Sequence, residues 1–115
     1  MGSEMCIRDS RKMWKWEGFV VSDQGAVSDI GPGRGHHFAP NSSQGAVDAL
    51  NAGCDVNDGS QYAQYIAGAV SRGAVTEARL DEALATFLAQ RFTAGSFDDP
   101  ATVRHRFTDH PHTQY

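Results

Sequence analysis

The sequence predicts an α/β chain, a βαβα segment of a parallel-sheet protein. Three observations carry that expectation. Three successive apolar residues, Phe19-Val20-Val21, are bounded by Gly18 and by the polar Ser22-Asp23. Apolar residues recur at helical spacing over 62–70 and again over 80–92. Turn-forming residues separate these stretches in the order strand, loop, helix, short strand, helix, helix.

The elements follow in chain order. Residues 1–10, MGSEMCIRDS, lack the apolar centre of a secretory signal and show no period. They fit translated adapter sequence on an interrupted reading frame, so a non-native leader is expected there, with Cys6 outside the fold. The run from Gly18 to Asp23 suits a strand buried on both faces, as in a parallel sheet. Residues 31–45 are rich in Gly, Pro, Asn and Ser and predict a loop. A helix follows from about Ser43 to Ala52. Asn41, Ser42 or Ser43 can cap it, with Gln44 three residues after Asn41 as in a capping box. Val47 and Leu50 form its apolar stripe and Gly53 can end it. Cys54-Asp55-Val56-Asn57 predicts a very short second strand or turn. Tyr62, Tyr65, Ile66, Ala69 and Val70 then share one helical face, stopped by Gly73. Thr76 can cap the last helix, and Glu77 suits the positive end of its dipole. Leu80, Ala83, Leu84, Phe87 and Leu88 form its predicted buried stripe, extended by Phe92, and Gly95 can terminate it. After Phe97, Asp98-Asp99-Pro100 breaks the pattern. Residues 98–115 are polar and aperiodic and predict a linker toward a further domain. Two strands cannot bury both their faces alone, so residues 11–97 are expected to be part of a larger domain, incomplete on their own.

Composition narrows the function. The chain has 115 residues, 40% hydrophobic, with 10 basic and 14 acidic side chains and a net charge of −4. No apolar run approaches the ~20 residues that span a bilayer, which argues against a membrane partner. Scattered Arg on an acidic chain argues against a nucleic-acid partner. Two cysteines, Cys6 and Cys54, exclude a disulfide-dense scaffold and an all-cysteine zinc site. The sequence gives no cellular address.

Several residues invite chemistry. Asp23 ends a predicted buried strand, which delivers its carboxylate to the carboxyl edge where catalytic groups of parallel α/β folds collect. The alternative is a loop or capping Asp. The Gly31-Pro32-Gly33-Arg34-Gly35 loop does not match a phosphate-loop pattern and predicts simple flexibility. His36 and His37 are adjacent, so in an extended segment they face opposite ways, and no partner spacing supports a metal. Asp55, Asn57 and Asp58 fail the calcium-loop template, where the last ligand would fall on Ile66. Asp55 is instead expected to bond backbone groups at a strand end. Asn41-Ser42-Ser43 is a formal glycosylation sequon. Glu82 falls off the apolar stripe and is expected in solvent. Neither it nor Glu77 lies near the strand ends.

Four blocks carry a family resemblance. Trp14 through Asp23 resembles a glycoside hydrolase family 3 signature that ends at the catalytic nucleophile, with Lys15, Trp16 and Glu17 replacing the usual Gly, Phe and Asp. Asn51 to Asn57 resembles the stretch at the last barrel strand, Gly73 to Ala83 the terminal helix, and Arg91 to Asp98 the closing motif. Ser22 to Val27, His36-His37-Phe38 and Ala52 to Gly59 resemble the β-xylosidase branch, although Gln24 and Asp58 stand where that branch commonly has cysteines. A β-glucosidase-like enzyme is the close alternative.

The resemblance implies the last strands and helices of a (β/α)8 TIM barrel. It implies a retaining β-glycosidase acting on an oligosaccharide or aryl glycoside, with Asp23 as nucleophile and Gln24 as a substrate-binding residue. Such enzymes use two carboxyl groups about 5–5.5 Å apart, one ionised to attack and one protonated to donate. No acid/base can be assigned in this chain, and no metal or organic cofactor is implied. The isolated chain is expected to be inactive, its partner being the missing parts of its own parent chain. Other readings are an inert fragment, a non-catalytic carbohydrate-binding remnant, or a phosphate-binding protein supported only by the Gly31–Gly35 loop.

Overall fold

A computed structural model describes residues 9–32 and 36–99. After a π-helical turn at Asp9–Met13 come four α-helices: α1 (Ala26–Ile30), α2 (Ser42–Ala52), α3 (Gln61–Ser71) and α4 (Glu77–Thr93). Helix α2 lies at the centre and packs on α3, α1 and, more lightly, α4.

Local chemistry sets the helix ends. Asn41 caps α2, its side-chain oxygen accepting from Gln44 N at 2.9 Å. The reciprocal half of the capping box is absent, because the Gln44 side chain turns forward to donate to Asp48 at 2.7 Å. Gly53, at φ 111°, ends α2 in the left-handed region that a β-carbon disfavours. Thr76 caps α4 by accepting from Arg79 N. Gly73, at φ 70°, stops α3, and Ala74 N returns to Ala69 O at 2.9 Å. The single turn α1 was not foreshadowed, since one turn is too short to display a period.

The core sits between α2 and α3. Ala46, Leu50 and Ala69 are fully enclosed, and Val27, Val47, Cys54, Ile66, Val75 and Ala83 pack with them. Val20, Tyr62, Tyr65 and Val70 close its margin. The predicted stripes of α2 and α3 therefore face the core.

Two expectations need correction. First, the predicted strands are not strands. Among the described residues the pairing is one isolated parallel bridge, Val21 to Val56. Ser22 N donates to Val56 O at 2.9 Å, and Asp55 N and Val56 N donate to Val20 O at 2.8 and 3.1 Å. The parallel direction is as predicted, but among the described residues each segment has a neighbour on one side only and the ladder stays at bridge length. Val21 is 51% exposed, so the segment is not buried on both faces. Second, of the α4 stripe only Ala83 is buried. Leu84 and Phe92 are 51% and 64% exposed, and Phe87 meets Phe19 edge-on at 5.3 Å between ring centres. The period is real, but no described layer covers that face. Residues 33–35 of the glycine loop and 100–115 of the predicted linker lie outside the described residues, as does Cys6.

Candidate functional site at the carboxyl edge of the parallel pair

Both paired segments run toward the same edge, and their next residues meet there. Gly25 N donates to Asp58 O at 2.8 Å. Ser22 Oγ accepts from Asp58 N at 3.0 Å and from Asn57 Nδ2 at 3.3 Å. Asn57 Oδ1 in turn accepts from Tyr62 N at 3.2 Å. This lattice ties the end of the first segment to the start of α3.

Asp23 stands on that edge, exposed. Its Oδ1 accepts from Gln24 N at 2.8 Å, and its carbonyl accepts from Ala26 N at 3.1 Å, opening α1. Among the described residues its other carboxylate oxygen accepts no hydrogen bond. Asp23 borders an apolar cleft of about 310 Å³ walled by Val20, Val21, Val27, Ile30 and Ala49. Gln24 lines an open hollow of about 510 Å³ formed with Gly25, Ser28, Ser42, Gly59, Ser60 and Gln61. The two predicted site residues are thus neighbours on one edge, each on its own hollow.

Below the edge lies a feature that sequence reasoning saw only in part. The Asp55 side chain is 3% exposed. It accepts from Val20 N at 3.0 Å, the backbone bond expected of it, but also from Arg11 at 2.6 Å and Arg79 at 2.9 Å. Arg79 also donates through Nε to Leu50 O at 2.9 Å and pairs with the exposed Glu82 at 3.3 Å. Two signals could have revealed these pairs. Asp55 lies between apolar Cys54 and Val56, where a charge needs partners. Arg79 sits in the first turn of α4, at the positive dipole end, which disfavours a cation with no anion nearby.

Next to this cluster Cys54 is buried as a free thiol, and burial pushes its pKa up. Tyr62 donates its hydroxyl to Cys54 O at 2.8 Å, and burial, then the neighbouring thiol, raises the phenol's pKa. Both groups are therefore neutral at physiological pH and act as packing and hydrogen-bonding groups. His36 and His37 are exposed, and no cluster of three metal-ligating side chains forms among the described residues. Asn41 of the sequon is the helix cap described above.

A parallel bridge backed by helices is consistent with a fragment of an α/β protein, the class that binds ligands beyond its strand ends. Sequence comparison narrows the class. The family described as Glycosyl hydrolase family 3 N terminal domain matches residues 2–89. The chain is 34% identical over 99 residues to a probable exo-1,4-beta-xylosidase of Aspergillus terreus, covering 84% of this chain and 13% of that protein. It is 37% identical over 94 residues to a xylan 1,4-beta-xylosidase of Xylanibacter ruminicola, covering 81% and 11%. The fold overlays on a β-glucosidase of Listeria innocua, solved in complex with glucose, with a TM-score of 0.75 and 29% identity over 84% of this chain and 13% of that one. The chain belongs to glycoside hydrolase family 3, whose members among these relatives are glycosidases, and it spans about an eighth of their length.

Proposed function

We propose that this chain is the nucleophile-bearing segment of a retaining β-glycosidase, drawn from the last strands and helices of a (β/α)8 barrel. The substrate class is a terminal β-linked sugar, xylose or glucose, on an oligosaccharide or aryl aglycone. Asp23 is the proposed nucleophile and Gln24 a proposed contact to the sugar. The observation that carries the reading is the place of Asp23: exposed at the carboxyl edge, with one oxygen held by Gln24 N and the other unengaged among the described residues. The parallel direction of the Val21–Val56 bridge supports a barrel origin. The xylosidase names among the sequence relatives and the glucose-bound structural neighbour support the substrate class.

The chemistry asked of Asp23 is simple. Ionised, its oxygen attacks the anomeric carbon while a second carboxyl group protonates the departing oxygen. The resulting glycosyl ester is cleaved by water, which that same group deprotonates. No such acid/base is assigned in these residues, and we hold the 115-residue chain to be inactive alone.

The test is covalent trapping. A 2-deoxy-2-fluoro glycoside incubated with an enzyme containing this segment at the length of its relatives should label the peptide holding Asp23. A label on another carboxylate would remove the assignment. A chain that binds xylose oligomers but never labels would favour the non-catalytic binding remnant.

A further inference from the structure

The buried carboxylate of Asp55 plays no part in the chemistry just described, yet it accepts three hydrogen bonds beside it. We infer that Asp55 is a positioning residue that fixes the register of the segment ending in Asp23; the catalytic value of that register rests on the nucleophile reading above.

The geometry makes the case through Val20. Its carbonyl accepts two backbone bonds from the facing segment, from Asp55 N and Val56 N. Its N–H meets no facing carbonyl. The Asp55 carboxylate takes that place, at 3.0 Å. The side chain thus stands in for one rung of a ladder that is otherwise a single bridge long. Its own position is not set by the pairing. Arg11, from before the segment, and Arg79, from the first turn of α4, grip it at 2.6 and 2.9 Å. Arg79 is fixed in turn by its bond to Leu50 O at the end of α2. The amide of Val20 is therefore referenced to two helices rather than to its partner strand alone. A slip by one residue would carry Val20 N–H away from this anchor and turn the Asp23 side chain to the other face. An ordinary backbone ladder of this length offers little resistance to such a slip, whereas a charge-assisted bond to a doubly clamped carboxylate does.

The experiment is solution NMR on the 115-residue chain. Gln24 N–H donates to Asp23 Oδ1, so its amide resonance reports where that carboxylate stands. In Asp55→Asn, the Val20 amide should lose about tenfold in exchange protection, as expected for one charge-assisted bond. The Ser22 and Gln24 amides and the Asp23 carboxyl carbon should shift, while the capped amide of Gln44 stays in place. Asp55→Glu, which restores the charge, should recover part of the Val20 protection. A folded Asp55→Asn chain with unchanged Ser22 and Gln24 signals would overturn the inference and leave Asp55 a stability anchor only. Should Asp55→Asn fail to fold, Arg79→Lys is read in the same way, with the same result overturning the proposal. Because the readout involves no turnover, a wrong nucleophile assignment would leave it intact. Equally, Asp23 labelling could succeed while these shifts fail to appear.

Discussion

Single residues at this site divide into those that hold the fold and those proposed to meet a ligand. Tyr62 belongs to the first group: its hydroxyl reaches Cys54 O at 2.8 Å beneath the carboxyl edge. Tyr62→Phe should cost about 1 kcal/mol in urea unfolding, the net value of a part-buried hydrogen bond. The raised pKa values of Cys54 and Tyr62 set an alkaline limit. Both are held above their ordinary 9.0 and 10.0, so over that range the folded chain keeps protons that the unfolded chain releases. Their stabilising contribution is complete below pH 9, shrinks as the pH climbs through 9 and 10, and is gone above the folded values. Melting temperature followed from pH 8 to 11 should fall, and Tyr62→Phe should flatten the upper part of that fall. Asp23 belongs to the second group. In the longer enzyme Asp23→Asn should abolish turnover, while in this chain it should change stability by under about 0.5 kcal/mol, as for other exposed sites. A chain strongly destabilised by that change would mark Asp23 as a structural cap.

At the scale of elements, the caps and stripes behave differently. Thr76 and Asn41 each satisfy an amide that the first helical turn leaves unpaired. Thr76→Ala should therefore cost about 1 kcal/mol by thermal unfolding, confined to α4 and its contacts. These ends were legible because capping is a local affair of a few adjacent residues. The face of α4 is the opposite case. Leu84 is 51% exposed despite lying on a clean apolar stripe. Leu84→Lys should leave stability within about 0.5 kcal/mol and lower the chain's tendency to aggregate, read by light scattering. A loss of several kcal/mol would mean that the stripe is covered after all. Helical spacing announces which side of α4 is apolar, but burial also needs a partner, and spacing carries no information about one.

At the scale of the whole molecule, α2 is the hub. It packs on α1, α3 and α4, and within it Leu50 is fully buried and its carbonyl receives Arg79. Leu50→Ala should destabilise the chain by roughly 2–5 kcal/mol in denaturant unfolding, through lost burial and the cavity left behind. Near neighbours, the period of single elements and runs of motif residues made legible the order of α2, α3 and α4, the caps at Asn41 and Thr76, the stops at Gly53 and Gly73, the parallel direction and the family. Packing between distant segments settled that among the described residues the pairing stops at one bridge, that Val21 and most of the α4 stripe face outward, and that Asp55 is clamped by Arg11 and Arg79. Those outcomes join residues 24 and 44 positions apart along the chain. No local pattern encodes such a distance; it is fixed when α4 packs against α2 and delivers its arginine beneath the paired segments.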